Sequence, residues 1–252
     1  MSAETGAVEG KDWARLSVLA LVLAAVTGCG HKQTVYQPPP QSLPPAQQPH
    51  RAQRPGEVSR ADLEFIDTHK PVLTEIGVAS WYDAPYKGRR AANGRVFDGE
   101  AMTAANRTLP MGSLVVVTNL KTGQSGAMHI TDRGPFIAGR ILDLSRASAK
   151  AIGIYRDGID RVRMEVYKTP KPIWSGGRWC VQIGPFTNHR RAIRLKKQLM
   201  RRYPRASVIE FPGERHHYWV RIRPHDGDRA TAVNITRHMH PSQGVAFLTR
   251  LD

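Results

Sequence analysis

Acidic residues are scarce in this chain. Its 21 Asp and Glu stand against 37 Lys and Arg, a formal charge of +16. That balance points to an anionic partner: nucleic acid, a phospholipid surface or an anionic cell-wall polymer. The imbalance is steepest at the C-terminal end, where residues 171–252 hold 16 of the basic residues and 5 of the acidic ones. Cysteine is nearly absent. Cys29 and Cys180 lie far apart, and neither sits in a Cys-x-x-Cys pair or a Cys/His cluster. A disulfide framework and a metal site are therefore not implied, and no cofactor is expected. The apolar run Leu16–Val26, interrupted by Ser17, falls short of the roughly 20 residues a bilayer span needs. Aromatic residues make up 7%, but apolar residues overall reach 40% of 252. This is enough for one large domain or two modest ones, each with a core.

The short apolar run has the length of a signal-peptide core, and Lys11 and Arg15 precede it. Small residues close it, and a cysteine follows: Val26-Thr27-Gly28-Cys29. This looks like a lipobox, where a bacterial signal peptidase cuts before a lipid-modified cysteine. Residues 1–28 are thus expected to be a lipoprotein signal peptide and Cys29 the lipidated residue. Each buried acyl CH₂ adds about 0.8 kcal/mol of membrane affinity. Gly30, rather than Asp, follows the cysteine. By analogy with enteric bacteria, the anchor then belongs in the outer membrane, facing the periplasm. Residues 29–72 are expected to be a tether. Pro and Gln dominate 31–60, which cannot bury enough surface to fold and favours extended polyproline II.

From 73 to 168 the pattern changes to short β segments with Gly, Pro and Asn between them. They include Ile76–Tyr82, Leu114–Asn119, Ala127–Thr131, Ile141–Leu144 and Val162–Tyr167. Such spacing predicts a small barrel. One helix is expected at Ser145–Ile152, with Ser145 as N-cap and Gly153 at its end. Residues 169–177 read as a linker. Residues 178–252 then read β-α-β-β-α-β, with helices at Arg190–Tyr203 and Asp228–Met239. That order gives a ferredoxin-like antiparallel sheet with both helices on one face. The fold class is thus α+β and multidomain.

Several phrases of the middle region occur together: Gly77-Val-Ala-Ser-Trp-Tyr82, Ala92-Asn-Gly94 with Phe97-Asp98, Thr103-Ala-Ala-Asn-Arg-Thr-Leu-Pro110, Val117-Thr-Asn-Leu120, Thr131-Asp-Arg-Gly-Pro-Phe136 and Asp143-Leu-Ser145. In content, order and spacing this set resembles the rare lipoprotein A family of septal lytic transglycosylases. The resemblance implies a six-stranded double-psi β-barrel. Trp179-Cys-Val-Gln-Ile-Gly-Pro-Phe186 resembles the opening of a SPOR domain. Such domains bind glycan strands stripped of their stem peptides, which are enriched at division septa. The implied activity is that of a lyase. It cleaves between N-acetylmuramic acid and N-acetylglucosamine of denuded strands to leave 1,6-anhydro ends during wall remodelling at division.

The family places acidic roles on a Glu after the Asn-Gly pair and on the Asp of the Asp-Arg-Gly-Pro phrase, with a His before Arg-Thr-Leu-Pro. Here the Asp is present as Asp132, but the Glu position holds Arg95 and the His position holds Asn106. Arginine stays protonated, and asparagine does not titrate. Three readings are open. Asp132 serves alone as acid and base; or a nearby carboxylate, Glu100 or Asp98, replaces the missing Glu; or the barrel only binds glycan and the chain is a non-catalytic septal lipoprotein. Considered without the family, Asp132 would simply cap the Arg133-Gly134-Pro135 turn. Tyr82 and Asp143 are candidate glycan contacts, Asp143 as a residue lining the same cleft as Asp132, although it would serve equally well as a strand-end or capping residue. Trp81 and Tyr82 must face opposite ways along a regular strand.

Alternation along His217–Arg223 places Trp219, Arg221 and Arg223 on one face and Tyr218, Val220 and Ile222 on the other. On the first strand Gln182 opposes Val181 and Ile183. The apolar sets should meet the helices, leaving an open face with Gln182, Trp219, Arg221 and Arg223. An aromatic, an amide and two cations suit a glycan bearing muramoyl carboxylates. The same set resembles an RNA-binding sheet, but the export signal argues against nucleic acid as a partner. Protein partners are not indicated.

Overall fold

The structure is a computed structural model that describes residues 57–83, 86–211 and 217–252. The expected signal peptide, Cys29 and most of the tether lie outside the described residues.

The described part opens on a helix. α1 spans Arg60–Thr68 and is fixed by a reciprocal capping box: the Asp62 amide donates to Ser59 Oγ (3.1 Å) and the Ser59 amide to Asp62 Oδ2 (3.0 Å). His129 Nε2 lies 3.3 Å from Asp62 Oδ2, and Lys168 sits over the Phe65 ring. The tether expected through residue 72 is therefore shorter, because the capping box and apolar Phe65 support a helical turn where proline has run out.

Six strands close a barrel: β1 Leu73–Trp81, β2 Thr103–Ala105, β3 Leu114–Asn119, β4 Ser125–Asp132, β5 Arg140–Leu144 and β6 Ile159–Lys168. Their order is β1-β5-β2-β4-β3-β6, with β1–β5 and β2–β4 parallel and the other pairs antiparallel. This is the double-psi β-barrel that the sequence led us to expect. Closure leaves no unpaired sheet edge. Alternate residues fill the interior, among them Val115, Val117, Met128, Ile130, Leu142, Leu144, Val162 and Met164, all fully buried. Gly77 is dictated by close packing, since a Cβ there would stand 2.6 Å from Ile141 Cγ2. α2 spans Arg146–Ala151 with Ser145 as N-cap, its hydroxyl accepting from the Ser148 amide (3.1 Å), and Gly153 follows with φ +75°.

The second unit runs β7 Trp179–Phe186, α3 His189–Met200, β8 Ser207–Phe211, β9 His217–Ile222, α4 Arg229–His238 and β10 Val245–Arg250. Its sheet order is β10-β7-β9-β8, antiparallel throughout. Val181, Ile183, Val220 and Ile222 meet Ala192 and Leu195 of α3 and Ala232 and Ile235 of α4, so both helices cover one face as expected.

The stretch 169–177 is a pinned connector. Arg250, fully buried, donates from Nη1 to Pro172 O (2.7 Å) and from Nε to Asp252 Oδ1 (3.1 Å). Ile173 packs on the barrel core, and Arg229 lies over Trp174.

Candidate active site

Strand register assembles the site. Ser80 of β1 pairs with Asp143 of β5, Asp143 with Ala105 of β2, and Ala105 with Asp132 of β4. Four neighbouring strands thus contribute one row, with two carboxylates separated by a small, buried alanine. Two inter-strand steps place their Cα atoms roughly 10 Å apart. Five of the family phrases meet here, through Ser80, Ala92, Ala105, Asp132 and Asp143, whereas Val117–Leu120 pairs with the opposite end of β4.

Asp132 ends β4 and is half-buried. Its Oδ1 accepts from the amides of Ala92 (2.9 Å) and Arg133 (2.8 Å), and the Tyr82 hydroxyl stands 3.5 Å from Oδ2. Burial raises its carboxyl above the usual range, against the lowering effect of those hydrogen bonds. Asp143 Oδ1 accepts from Ser80 Oγ (2.6 Å), with Arg140 Nη2 at 3.4 Å. Burial raises it too, again against the pull of its partners. Burial pushes the Tyr82 hydroxyl well above the usual phenol range, and the charges of Asp132 and Asp143 add to this. Gly134, at φ +146°, brings the 132–136 loop to Asp143: a Cβ there would lie 3.7 Å from Asp143 Oδ2. Tyr82 stacks on Phe97 with centroids 4.7 Å apart, and Tyr86 meets it edge-on at 5.5 Å. Trp81 instead turns to the core and Tyr155, as alternation requires.

The family's altered positions fall on either side of Asp132. Arg95 is exposed on the 91–95 loop, which lies over β4 through Ala92 and through the Asn93 amide to Thr131 O (3.2 Å). Its backbone is anchored, its amide donating to Asn93 Oδ1 (3.0 Å) and its carbonyl accepting from Ala91. Asn106 is buried and fully committed. Oδ1 accepts from the amides of Thr108 (2.8 Å) and Leu109 (2.9 Å), and Nδ2 donates to Ile141 O (3.1 Å). Its amide donates to the Asp132 carbonyl (3.1 Å), on the backbone side of the site.

Glu100 is exposed and pairs with Arg146, which also binds Asp83 (2.8 Å). Asp98 is exposed, accepts from the Glu100 amide (2.9 Å), and lines a small hollow with Arg95 and Thr131. The carboxylate that shares Tyr82's surroundings with Asp132 is Asp143. The register of β2 gives the pairing, and the sequence did not mark β2.

On the second sheet, Gln182 and Arg221 are register partners, and Arg221 Nη2 donates to Gln182 Oε1 (3.1 Å). The face is not open as the sequence suggested. Gln182 is 0% exposed and Trp219 5%, and barrel residue Phe136 packs on Trp219 and Phe247 with centroids 5.2 and 6.0 Å apart. Alternation assigns a residue to a face; it does not say what covers that face. The end bearing Arg221 and Arg223 opens on a cleft of about 400 Å³, lined also by Arg178, Arg205 and His225. Cys180 is buried on this sheet, its thiol pushed up to about 11 by burial, which makes it unreactive.

Residues 74–164 match the family described as lytic transglycolase, and residues 175–237 match the SPOR domain. A Synechocystis protein named probable endolytic peptidoglycan transglycosylase RlpA is 52% identical over 36% of this chain and 28% of its own length. The Vibrio cholerae protein named endolytic peptidoglycan transglycosylase RlpA is 48% identical over 40% of this chain and 38% of its own. The Pasteurella multocida protein of the same name is 36% identical over 48% of this chain and 42% of its own. The match thus spans less than half the length of these relatives. The barrel thus matches the lytic transglycolase domain and the second sheet the SPOR domain, and the matched stretches are similar to proteins named RlpA.

Proposed function

We propose that the barrel is an endolytic lytic transglycosylase acting on denuded glycan in the cell envelope, with the SPOR domain binding the same strands. The observation that carries this is Asp132, a carboxyl raised by burial at the end of β4, one strand-row from Asp143 and beside Tyr82. A raised carboxyl is protonated over a wider pH range and can donate to the leaving oxygen. The muramoyl 6-hydroxyl then closes on its own anomeric carbon. The C1–O6 bond forms as C1–O4 breaks, and the hydroxyl proton returns to Asp132. No water enters the reaction. The nucleophile is intramolecular, so its effective molarity is already high. Asp143, held by Ser80 and Arg140, is the second carboxyl of this row, and the Tyr82–Tyr86 pair offers ring faces to sugars.

The second reading, a non-catalytic glycan-binding lipoprotein, is favoured by Arg95 and by the committed hydrogen bonds of Asn106. Protein lacking residues 1–30, incubated with denuded sacculi, separates the two by mass spectrometry of the products. The enzyme reading expects 1,6-anhydromuramoyl ends, lost in Asp132→Asn. Intact glycan binding with no such ends would leave the binding reading. Ends that persist in Asp132→Asn would move the acid elsewhere. Glu100→Gln and Asp98→Asn test the relocated carboxylate.

Anchoring through a lipid on Cys29, in the outer membrane facing the periplasm, rests on the lipobox-like Val26–Cys29. Incorporation of labelled fatty acid, abolished in Cys29→Ser, is the expected result.

A further inference from the structure

The loop that follows Asp132 joins the two domains. Arg133 donates from Nε to Arg250 O (2.6 Å), from Nη2 to Asp252 O (2.7 Å) and from Nη1 to Asn106 O (3.0 Å). Arg107 braces the loop by donating from Nη1 to Pro135 O (2.7 Å), lies over the Phe247 ring, and accepts at its carbonyl from the Arg250 amide (2.9 Å). Phe136 completes an aromatic cluster with Trp219 and Phe247. These SPOR residues share the sheet face of Gln182 and Arg221, which was expected to meet glycan.

The covered face is built for a more polar occupant. Gln182 Nε2, Arg221 Nε and Thr249 Oγ1 are buried without a hydrogen-bond partner among the described residues. Register places all three on this face, since Gln182 pairs with both Arg221 and Phe247, and Thr249 lies two residues along from Phe247. Buried polar groups in folded proteins are almost always paired. Phe136 satisfies the aromatic groups and cannot serve an amide, a guanidinium or a hydroxyl. A sugar strand, with a hydroxyl or amide on each residue, serves both kinds. Gly184 leaves room for the Trp219 indole on this face, since a Cβ there would stand 2.6 Å from it.

We propose that the aromatic half of the SPOR sheet has two alternative occupants: barrel loop 133–136 in the docked state, and denuded glycan, which binds there by displacing that loop. The Arg221–Arg223 cleft stays open in the docked state and receives the first muramoyl carboxylates. The strand then extends across the sheet at the loop's expense. The coupling is reciprocal. Glycan on the sheet frees Arg133 from Arg250 and Asp252, and the amide of that same residue donates to Asp132. Occupancy of the SPOR domain is thereby reported to the carboxyl of the barrel. The inference rests on the reading of the second domain as a glycan binder.

The test uses the full chain and soluble glycan oligomers lacking stem peptides. Amide hydrogen exchange at residues 133–137 should quicken when glycan saturates the wild-type chain. Phe136→Ala should bind the oligomers more tightly, on the order of tenfold, since a surface blocked most of the time binds with its affinity cut by the open fraction. Trp219→Ala should weaken binding in either background. Exchange at 133–137 that is unchanged or slower while glycan binds overturns the competition and leaves glycan binding standing. If neither the wild-type chain nor Phe136→Ala binds, the reading of the domain fails and the proposal with it. If the variant alone binds, the loop is confirmed as the competitor.

Discussion

At the residue scale, the chemical role proposed for Asp132 comes with a thermodynamic cost. A carboxyl raised by burial favours the protonated fold. Its contribution to stability is present below the ordinary carboxylate range and is lost as pH rises through the folded value. Asp132→Asn keeps an acceptor for the amides of Ala92 and Arg133 and removes a charge that burial disfavours. At neutral pH it should melt at the wild-type temperature or higher, and that difference should shrink as pH falls. Turnover should drop by about 10²–10⁴, the usual share of a general acid. The wild-type rate should fall on the alkaline side, as pH passes the raised value. Arg95 and Asn106 separate in the same way. The Arg95 side chain is exposed and its loop is held by backbone bonds, so Arg95→Glu should fold within about 0.5 kcal/mol of wild type. If the barrel is catalytic, the variant should also raise its rate. Asn106→His should cost about 1–3 kcal/mol in denaturant titrations, because two amides and a carbonyl lose their partners in the interior.

At the element scale, what was legible follows from pattern strength. The β-branched run Leu114–Asn119 and the alternating Val162–Tyr167 gave β3 and β6, and Ser145 gave the start of α2. β2 was invisible because Thr103-Ala104-Ala105 is too short to show a period, and tertiary pairing makes it a strand. It is also the strand that stands between Asp143 and Asp132, so missing it left the register between them unread. Asp132 in its phrase and Asp143 as a candidate for the same site were legible, and the register that sets Ala105 between them was not. α1 was masked by the proline-rich stretch before it. The same packing logic makes Gly77 a test of how tightly β1 meets β5. Gly77→Ala should destabilise by about 1–3 kcal/mol, as overpacking does, because the crowded atoms belong to the stiff Ile141 side chain. Ile141→Val in the same chain should recover part of the loss in chemical denaturation.

At the scale of the whole molecule, sequence patterning described each domain and left their junction unread. A face deduced as open from alternation is closed by a loop from the other domain, because residues far apart in sequence carry the contact. The junction turns on Arg250, whose fully buried guanidinium is held by Pro172 O and Asp252 and lies over Trp179. Its backbone amide reaches Arg107 of the barrel, and Gly177 allows the close approach, since a Cβ there would lie 2.7 Å from Nη2. Truncating one member of a buried ionic pair leaves the other unpaired and typically costs about 3–5 kcal/mol. Arg250→Met keeps the bulk over Trp179 but releases the Pro172 carbonyl and Asp252. Part of that cost is recovered because the 14% exposed Asp252 keeps Lys171 at 2.8 Å. A loss of about 2–3 kcal/mol is therefore expected. It should appear first as protease cleavage within 169–177, with the barrel and the SPOR domain still protected as separate fragments. Cleavage spread evenly through both domains would instead show that Arg250 supports the SPOR fold itself rather than its junction with the barrel.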